Sequence, residues 1–492
     1  MNTFNMIYRC YKYSNMSNTF SELNTINTAT LFLTMIDPER FMIKSTWYDI
    51  GKVLYNITNG NSPGLSLWVD ETLKVLNQKD TPNFITKSVE VTCNSLYPTF
   101  ENNSLTIKTL AWYAAHDSPA SYNDWYENWR NKALDNSLDG KYTDVVDSLY
   151  RMNWLDVVFA EEQWYRFKDN IWIQSSETSF TKSIINDAIS TYEEYFNSLG
   201  DSEKLEKSKR IIKKLRSVSF RSFVIDELSN MFDGVLDSNY NILGTPNGVI
   251  ELIDRNLIFR DGKPEDYISM TTNVPYNTDF TWQHSSVRDC MGFFEPFFAE
   301  KSSLHNFWKL MSSTLNGNGR YKKVHAFKGD DRKVKMIVIK LLKEVYDGYF
   351  VSRVFDIPHK KYHTFKGKRV AFHDCDREHS LNNMHIKMIT GGDSFYGFGK
   401  EVKISPVVFL TYTDTINIPN CDEATIKRLN LVPLTGSYTV DDDDELLSLA
   451  PAFLWIMVNY FSYETEEGIK YHPIDPKDII SYQDYIPSPM KI

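Results

Sequence analysis

The sequence predicts an α/β chain in which a strand-and-helix module on the C-terminal side follows a mainly helical front and a mixed α+β middle. Three observations carry this. Apolar residues recur at helical spacing in two neighbouring stretches, Trp47, Ile50, Leu54, Ile57 and then Leu65, Trp68, Val69, Leu73, Leu76, with "TNGNSPG" as the break between them. The stretch "KVHAFKGDDRKVKMIVIKLL" reads as a strand, a turn and a helix, with a glycine and a lysine where a phosphate-binding loop would sit. A second apolar strand in "KRVAFHDCDRE" ends on paired aspartates.

Taken in order, residues 1–38 are polar, Asn/Thr-rich and without a clear period, so they form a lead-in. Residues 39–135 are helical: the hairpin above is followed by "LTIKTLAWYAAHDSPASYNDWYENW", again at helical spacing. Residues 136–300 are α+β. Here "QWYRFKDNIWIQ" predicts a tight hairpin, because Asp169-Asn170 tolerates the left-handed turn between aromatic and β-branched residues. A long helical stretch follows in "KLEKSKRIIKKLRSVSFRSFVIDELSNMF", with Leu205, Ile212 and Leu215 on one side. Its Lys207, Lys209, Arg210, Lys213, Lys214 and Arg216 form either a solvated face or a surface for nucleic-acid phosphates. Residues 301–440 hold the strand-and-helix module. In 441–492, "DDDDE" suits the first turn of the last helix, and "APAFLWIMVNYF" is short enough to be a buried helix.

Composition narrows the function classes. A chain of 492 residues with 42% hydrophobic and 14% aromatic residues has bulk for roughly three packed domains, and is neither a disordered chain nor a small disulfide scaffold. The net charge of −10 means that any nucleic-acid surface is local. Five widely spaced cysteines suit reduced thiols. With no run approaching the ~18 apolar residues of a membrane span, and no leader pattern at the start, the expectation is a soluble intracellular protein without a membrane partner.

The order of these signals, with "TIKTLAWYAAHDSP", "WYRFKDNIW" and above all "LGTPNGVIELIDRNLIFRDGKPEDYIS" ahead of a degenerate phosphate-binding loop, resembles the primase-helicases of large nucleocytoplasmic DNA viruses, of the poxvirus type. The resemblance covers roughly residues 40–440 and implies a superfamily-three helicase core of the AAA+ class on the C-terminal side. The polymerising primase domain at the front of such proteins is expected to be missing. In the family the loop reads Gly-x-Gly-x-Asn-Gly-Lys-Ser/Thr. Its glycines let backbone N–H groups converge on the triphosphate, its lysine reaches the β/γ oxygens, and its hydroxyl holds Mg²⁺. Here Gly329 and Lys335 keep the outer positions, Asp331 and Val334 replace glycines, Lys333 replaces Asn and Met336 replaces the hydroxyl. A carboxylate about 4 Å from a phosphate charge costs about 4 kcal/mol at an effective dielectric near 20. Asp330 and Asp331 both oppose a phosphate in this way, with Arg332 and Lys333 offsetting part of the repulsion. A thioether is no ligand for a hard cation, and a β-branched residue at 334 does not adopt the positive φ of glycine.

The resemblance further implies that Asp374 holds the metal and Asp376 aligns the attacking water, that Thr413 stands where the family has an asparagine beside the γ-phosphate, and that Arg428 is the finger entering a neighbouring subunit. Gly391-Gly392-Asp393 leads into a hairpin on which Lys400 and Lys403 would meet phosphates while Phe395, Tyr396 and Phe398 stack on bases. Cofactors would be ATP and Mg²⁺ if the site functions, and none otherwise. Partners would be single-stranded or forked DNA and either a hexameric homo-oligomer or a mixed ring with an intact helicase, in the host cytoplasm or the virion. Two functions follow: a replicative helicase-like module with weak or lost ATPase activity, or a catalytically inactive paralogue serving assembly. A zinc site from His359, His363, His373, Cys375 and His379 is a weaker reading, since Cys375 lies between the two aspartates. His116 and His472 read as ordinary surface or half-buried residues.

Overall fold

The computed structural model describes residues 25–78, 83–101, 105–253, 256–317, 323–376, 380–391, 394–397, 400–403, 406–438, 443–463 and 469–480. The chain divides into two compact units. The first comprises 1–168, 173–234 and 263–265; the second comprises 169–172, 235–262 and 266–492, so residues 235–262 and 266–300 pack with the C-terminal module.

In the first unit, α1 (Lys44–Thr58) and α2 (Ser62–Gln78) form the hairpin read from the apolar spacing. Trp68 is fully buried, its indole N–H donating to the Trp47 carbonyl at 3.1 Å, while the Trp47 indole donates to Thr72 at 2.9 Å. The helices approach this closely because Gly51 has no side chain: a Cβ there would lie 2.7 Å from the Trp68 ring. Then come α3 (Ile107–Asp117), α4 (Pro119–Ser137), α5 (Tyr142–Met152), β1 (Val157–Ala160), β2 (Gln163–Lys168) and β3 (Ile171–Ser175). Between β2 and β3, Asp169 and Asn170, which are counted with the second unit, have φ 48° and 74°, the left-handed conformation that these two residue types tolerate. Three helices follow, α6 (Glu177–Ser198), α7 (Ser202–Arg216) and α8 (Val218–Met231).

The segment 263–265 returns to this unit. Lys263 Nζ pairs with the Asp49 carboxylate, which also accepts from the Tyr113 hydroxyl at 2.8 Å; the Lys263 and Asp49 side chains are only 6% and 7% exposed. The "RDGKPED" run, the most distinctive piece of the sequence, thus has structural tasks. Arg260 forks onto Asp266 at 2.7 and 2.8 Å and reaches Glu251 at 2.6 Å within the second unit, and Lys263 neutralises a buried carboxylate within the first.

The second unit begins with an antiparallel meander, β4 (Ile242–Thr245), β5 (Gly248–Ile253) and β6 (Asn256–Arg260), then α9 (Lys301–Ser313). Its centre is a five-stranded parallel sheet built from β7 (Val324–Lys328), β8 (Phe350–Ser352), β9 (Val370–Asp374), β12 (Val407–Tyr412) and β14 (Leu429–Pro433), in the order β14-β7-β12-β9-β8. The strands read as unbroken apolar runs because both faces are covered. Val407 and Phe409 enter one core with Val370 and Phe372, whereas Val408, Leu410 and Tyr412 enter another with Val324, Ala326 and Ala371. On the first face lies α10 (Arg332–Tyr346), whose Val334, Ile337, Val338, Leu341, Leu342 and Val345 form one buried stripe.

Smaller elements complete the unit: α11 (Asn383–Gly391), the antiparallel pair β10 (Ser394–Gly397) and β11 (Lys400–Lys403), β13 (Ile416–Asn417), α12 (Glu423–Ile426), α13 (Ala450–Tyr463) and β15 (Ile479–Ile480). Helix α13 is apolar around most of its circumference, and Phe453, Leu454, Ile456 and Met457 are fully buried, as expected of a core helix. No helix among the described residues is long and apolar enough to cross a membrane.

His325 on β7 is fully buried and neutral. Asn430 donates to its Nδ1 at 3.0 Å, and the Asn430 amide is itself oriented by accepting the His472 N–H at 2.7 Å. Burial, reinforced by the nearby Lys323 charge, pushes its pKa down to about 3. The unfolded chain therefore takes up a proton that the folded chain refuses. Stability is fully present above an unfolded pKa of about 6.5 and is lost as pH falls from there towards 3, by about 1 kcal/mol at pH 5.5. His325→Asn keeps an acceptor near Nδ1 without titrating, so the drop in Tm between about pH 7.5 and about pH 5.5 should shrink in that variant; an unchanged pH profile would refute this role for His325.

Candidate functional site

The candidate site lies at the C-terminal ends of β7, β9 and β12, the end of a parallel sheet from which loops and helix N-termini project. Only Gly329, Asp330 and Asp331 separate β7 from α10. Gly329 passes against the Leu434 carbonyl, which a Cβ would meet at 2.7 Å. Asp331 is the N-cap of α10. One of its oxygens accepts from the Lys333 N–H at 2.7 Å and the other from the Tyr438 N–H at 3.0 Å. The end of the helix where amides and dipole favour an anion thus already holds this chain's own carboxylate.

This corrects the picture of a stretched loop with substituted glycines. Val334 and Met336 lie inside α10, where Val334 is buried and Met336 packs against the core, so no positive φ is asked of residue 334. The helix starts at Arg332 because Asp331 caps it.

Lys335, one turn into α10, has a side chain with no solvent exposure. Its Nζ donates to Asp376 Oδ2 at 2.9 Å and to Thr413 Oγ1 at 2.7 Å, while the Thr413 hydroxyl donates to Asp376 Oδ1 at 3.0 Å. Asp374 forms the second half of the cluster. Its Oδ2 accepts from the Arg332 guanidinium, and its Oδ1 accepts from Thr411 Oγ1 at 3.0 Å and from the Asp376 N–H at 3.2 Å. Thr411 in β12 and Thr413 just beyond its end occupy alternate positions, so both hydroxyls reach the aspartates.

Gly329, Lys335, Asp374, Asp376 and Thr413 therefore converge. Arg428 does not join them. It precedes β14, which runs parallel to β7 with Leu429 opposite Val324, so it sits at the other end of the sheet, its guanidinium donating to the Ala424 carbonyl at 2.8 Å. The β10–β11 hairpin pairs Ser394 with Lys403, Phe395 with Val402, Tyr396 with Glu401 and Gly397 with Lys400 along the backbone; Phe398, Gly392 and Asp393, and the side chains of Phe395, Tyr396, Lys400 and Lys403, lie outside the described residues. Among the described residues no group of three or more His, Cys, Asp or Glu could hold a metal; His379 and the side chains of His359 and His363 lie outside them.

Sequence reasoning missed Thr411, Tyr438 and Asp478. Asp478 accepts from Lys328 at 2.7 Å and from the Tyr412 hydroxyl at 2.9 Å, immediately before Gly329 and Thr413 in the chain. The alternation of "LTYT" could have revealed Thr411. Asp478 and Tyr438 are brought in from more than a hundred residues along the chain by tertiary packing and carry no local signal.

The family model described as "D5 N terminal like" matches residues 145–309. A "putative helicase" of Acanthamoeba polyphaga mimivirus is 23% identical over 433 residues, 80% of this chain and 44% of that protein. Another, of Invertebrate iridescent virus 6, is 27% identical over 230 residues, 42% of this chain and 24% of that protein. The chain thus spans less than half the length of these curated relatives. Among solved structures, the apo A form of the NrS-1 C-terminal region aligns over 67% of this chain and 72% of that one, at 12% identity and a TM-score of 0.40. The chain is an α/β protein with a helical front and a parallel sheet, similar in sequence to helicase-named proteins of large DNA viruses.

Proposed function

We propose that this chain is a helicase-like replication module of a large DNA virus whose own nucleotide site is silent, and which acts on DNA as a subunit of a ring, with residues 301–440 as a superfamily-three core of the AAA+ class. Residues 39–135 would be its helical front domain and 136–300 its α+β domain, of which 235–262 and 266–300 pack with the C-terminal unit, and the host cytoplasm would be its site of action. Support comes from the similarity to helicase-named relatives and from the parallel order β14-β7-β12-β9-β8 with a capped helix after β7.

The observation that carries the silent reading is Asp331 at the N-terminus of α10. A triphosphate needs those amides, and a fixed carboxylate there repels it by several kcal/mol. The surrounding residues do not fit a magnesium-bound triphosphate either. Three residues between strand and helix leave no cradle, Met336 offers Mg²⁺ nothing, and both oxygens of Asp374, the residue expected to hold the metal, already accept from Arg332, Thr411 and Asp376. Lys335, Asp376 and Thr413 act as a closed bolt in this reading.

In this reading Arg428, which lies at the far end of the sheet with its guanidinium on the Ala424 carbonyl, serves the site of a neighbouring subunit. Because such a finger works in trans, it does not depend on the loop of its own chain. The purified chain alone should show background ATPase activity, and adding it to an intact ring-forming relative should raise that relative's turnover, with the gain lost in Arg428→Ala. A DNA-stimulated turnover by the chain alone would sink the silent-site reading. No effect of Arg428→Ala in a mixed ring would favour the second reading, an inactive paralogue used in assembly or in the virion, which the closed bolt also permits.

A further inference from the structure

We infer that the cleft between α6 and α7 of the first unit binds the phosphodiester backbone of nucleic acid without regard to sequence. The inference rests on the reading that the chain acts on DNA and adds a contact separate from the β10–β11 hairpin. Residues 202–216 carry seven Lys or Arg against two Glu, a local +5 in a chain of net −10. The structure sorts these cations. Lys204, Lys207 and Lys214 are turned onto Asp135 (2.8 Å), Glu203 (2.8 Å) and the Gly140 carbonyl (2.9 Å). Lys209, Lys213 and Arg216 instead line a cleft of about 300 Å³ between α7 and α6, whose wall also holds Leu205, Ile212, Asn197, Ser208 and one carboxylate, Glu193, a local balance of +2.

The three cations are spaced i, i+4, i+7, so they share one face and span about 10 Å of helix axis, the reach of some three nucleotide steps at 3.4 Å each along one strand. Lys209 contacts Glu206 at 2.6 Å and Arg216 contacts Glu193 at 3.7 Å, but these side chains are 57% and 65% exposed. Such exposed pairs are worth about 1 kcal/mol or less and yield readily to a phosphate, which releases counterions as it binds. Among the described residues no aromatic ring lines the cleft to stack on a base, so the charge recognises the backbone rather than the sequence.

The test is fluorescence anisotropy with labelled oligothymidine and a mixed-sequence duplex, each of about 20 units and longer than a single site, titrated with the full chain at several salt concentrations. For Lys209→Ala/Lys213→Ala/Arg216→Ala we expect an affinity at least about tenfold lower at low salt, and a slope of log K against log salt on oligothymidine reduced by about two, as three lost phosphate contacts at 0.7 each require. The replaced side chains are at the surface, and an unchanged Tm checks the fold. Unchanged affinity and slope would overturn the inference. If Lys400→Ala/Lys403→Ala abolished binding while the cleft triple left it intact, the cleft would be excluded and the DNA-acting reading would stand. Absence of binding by the natural chain would overturn both. Equal competition by polyglutamate would also overturn the inference, by exposing a general anion surface.

Discussion

Replacing Lys335 by alanine is expected to lower stability by about 3 kcal/mol, seen as an earlier urea or thermal transition. The Lys335 side chain is fully buried, and its ammonium is shared between Asp376 and Thr413. Its removal leaves the 16%-exposed Asp376 carboxylate with Thr413 alone and opens a cavity along the buried stem. Lys335→Met refills the cavity but not the charge, so it should recover only part of the loss; adding Asp376→Leu should recover more, because apolar replacement of both members of a buried pair is often neutral. A lysine kept only to greet a phosphate behaves differently: its removal abolishes nucleotide binding and barely moves the unfolding midpoint. That second pattern, with a loss below about 1 kcal/mol, would overturn the closed-bolt reading.

The second large effect belongs to the first unit. Asp49→Ala should destabilise it by about 3–5 kcal/mol, the range for stripping one member from a buried ion pair. Asp49 and Lys263 are 7% and 6% exposed, and the same carboxylate oxygen holds the Tyr113 hydroxyl. Asp49→Asn keeps an acceptor for Tyr113 while losing the charge that balances Lys263, so an intermediate loss is expected. Limited proteolysis within residues 44–137, alongside the unfolding midpoint, reads the effect where it arises. Equal stability of Asp49→Ala and the natural chain would show that Lys263 reaches water and that the pair is not a structural anchor.

Local periodicity was enough to read several of the elements. The spacing from Trp47 to Leu76 dictates two helices, because only a 3.6-residue repeat gathers those side chains on one face. Asp169-Asn170 dictates a left-handed turn. The apolar runs of β7, β9 and β12 dictate strands covered on both faces, and the break in apolar character at the end of β9 delivers Asp374 and Asp376 to the end of the sheet.

What the sequence did not determine is how the polar groups pair. The same letters "GDDRKVK" are compatible with an open loop around an anion or with a capped helix. Only the tertiary structure decided for the helix, by placing the Tyr438 N–H against Asp331 and by giving Lys335 and Arg332 the carboxylates of another strand. Nor does any pattern along the chain link Asp49 to Lys263, 214 residues later. A buried charge must find its counter-charge wherever packing brings one within reach, so its partner is fixed by distance in space, whereas helices and strands are fixed by the short-range repeat that a sequence displays.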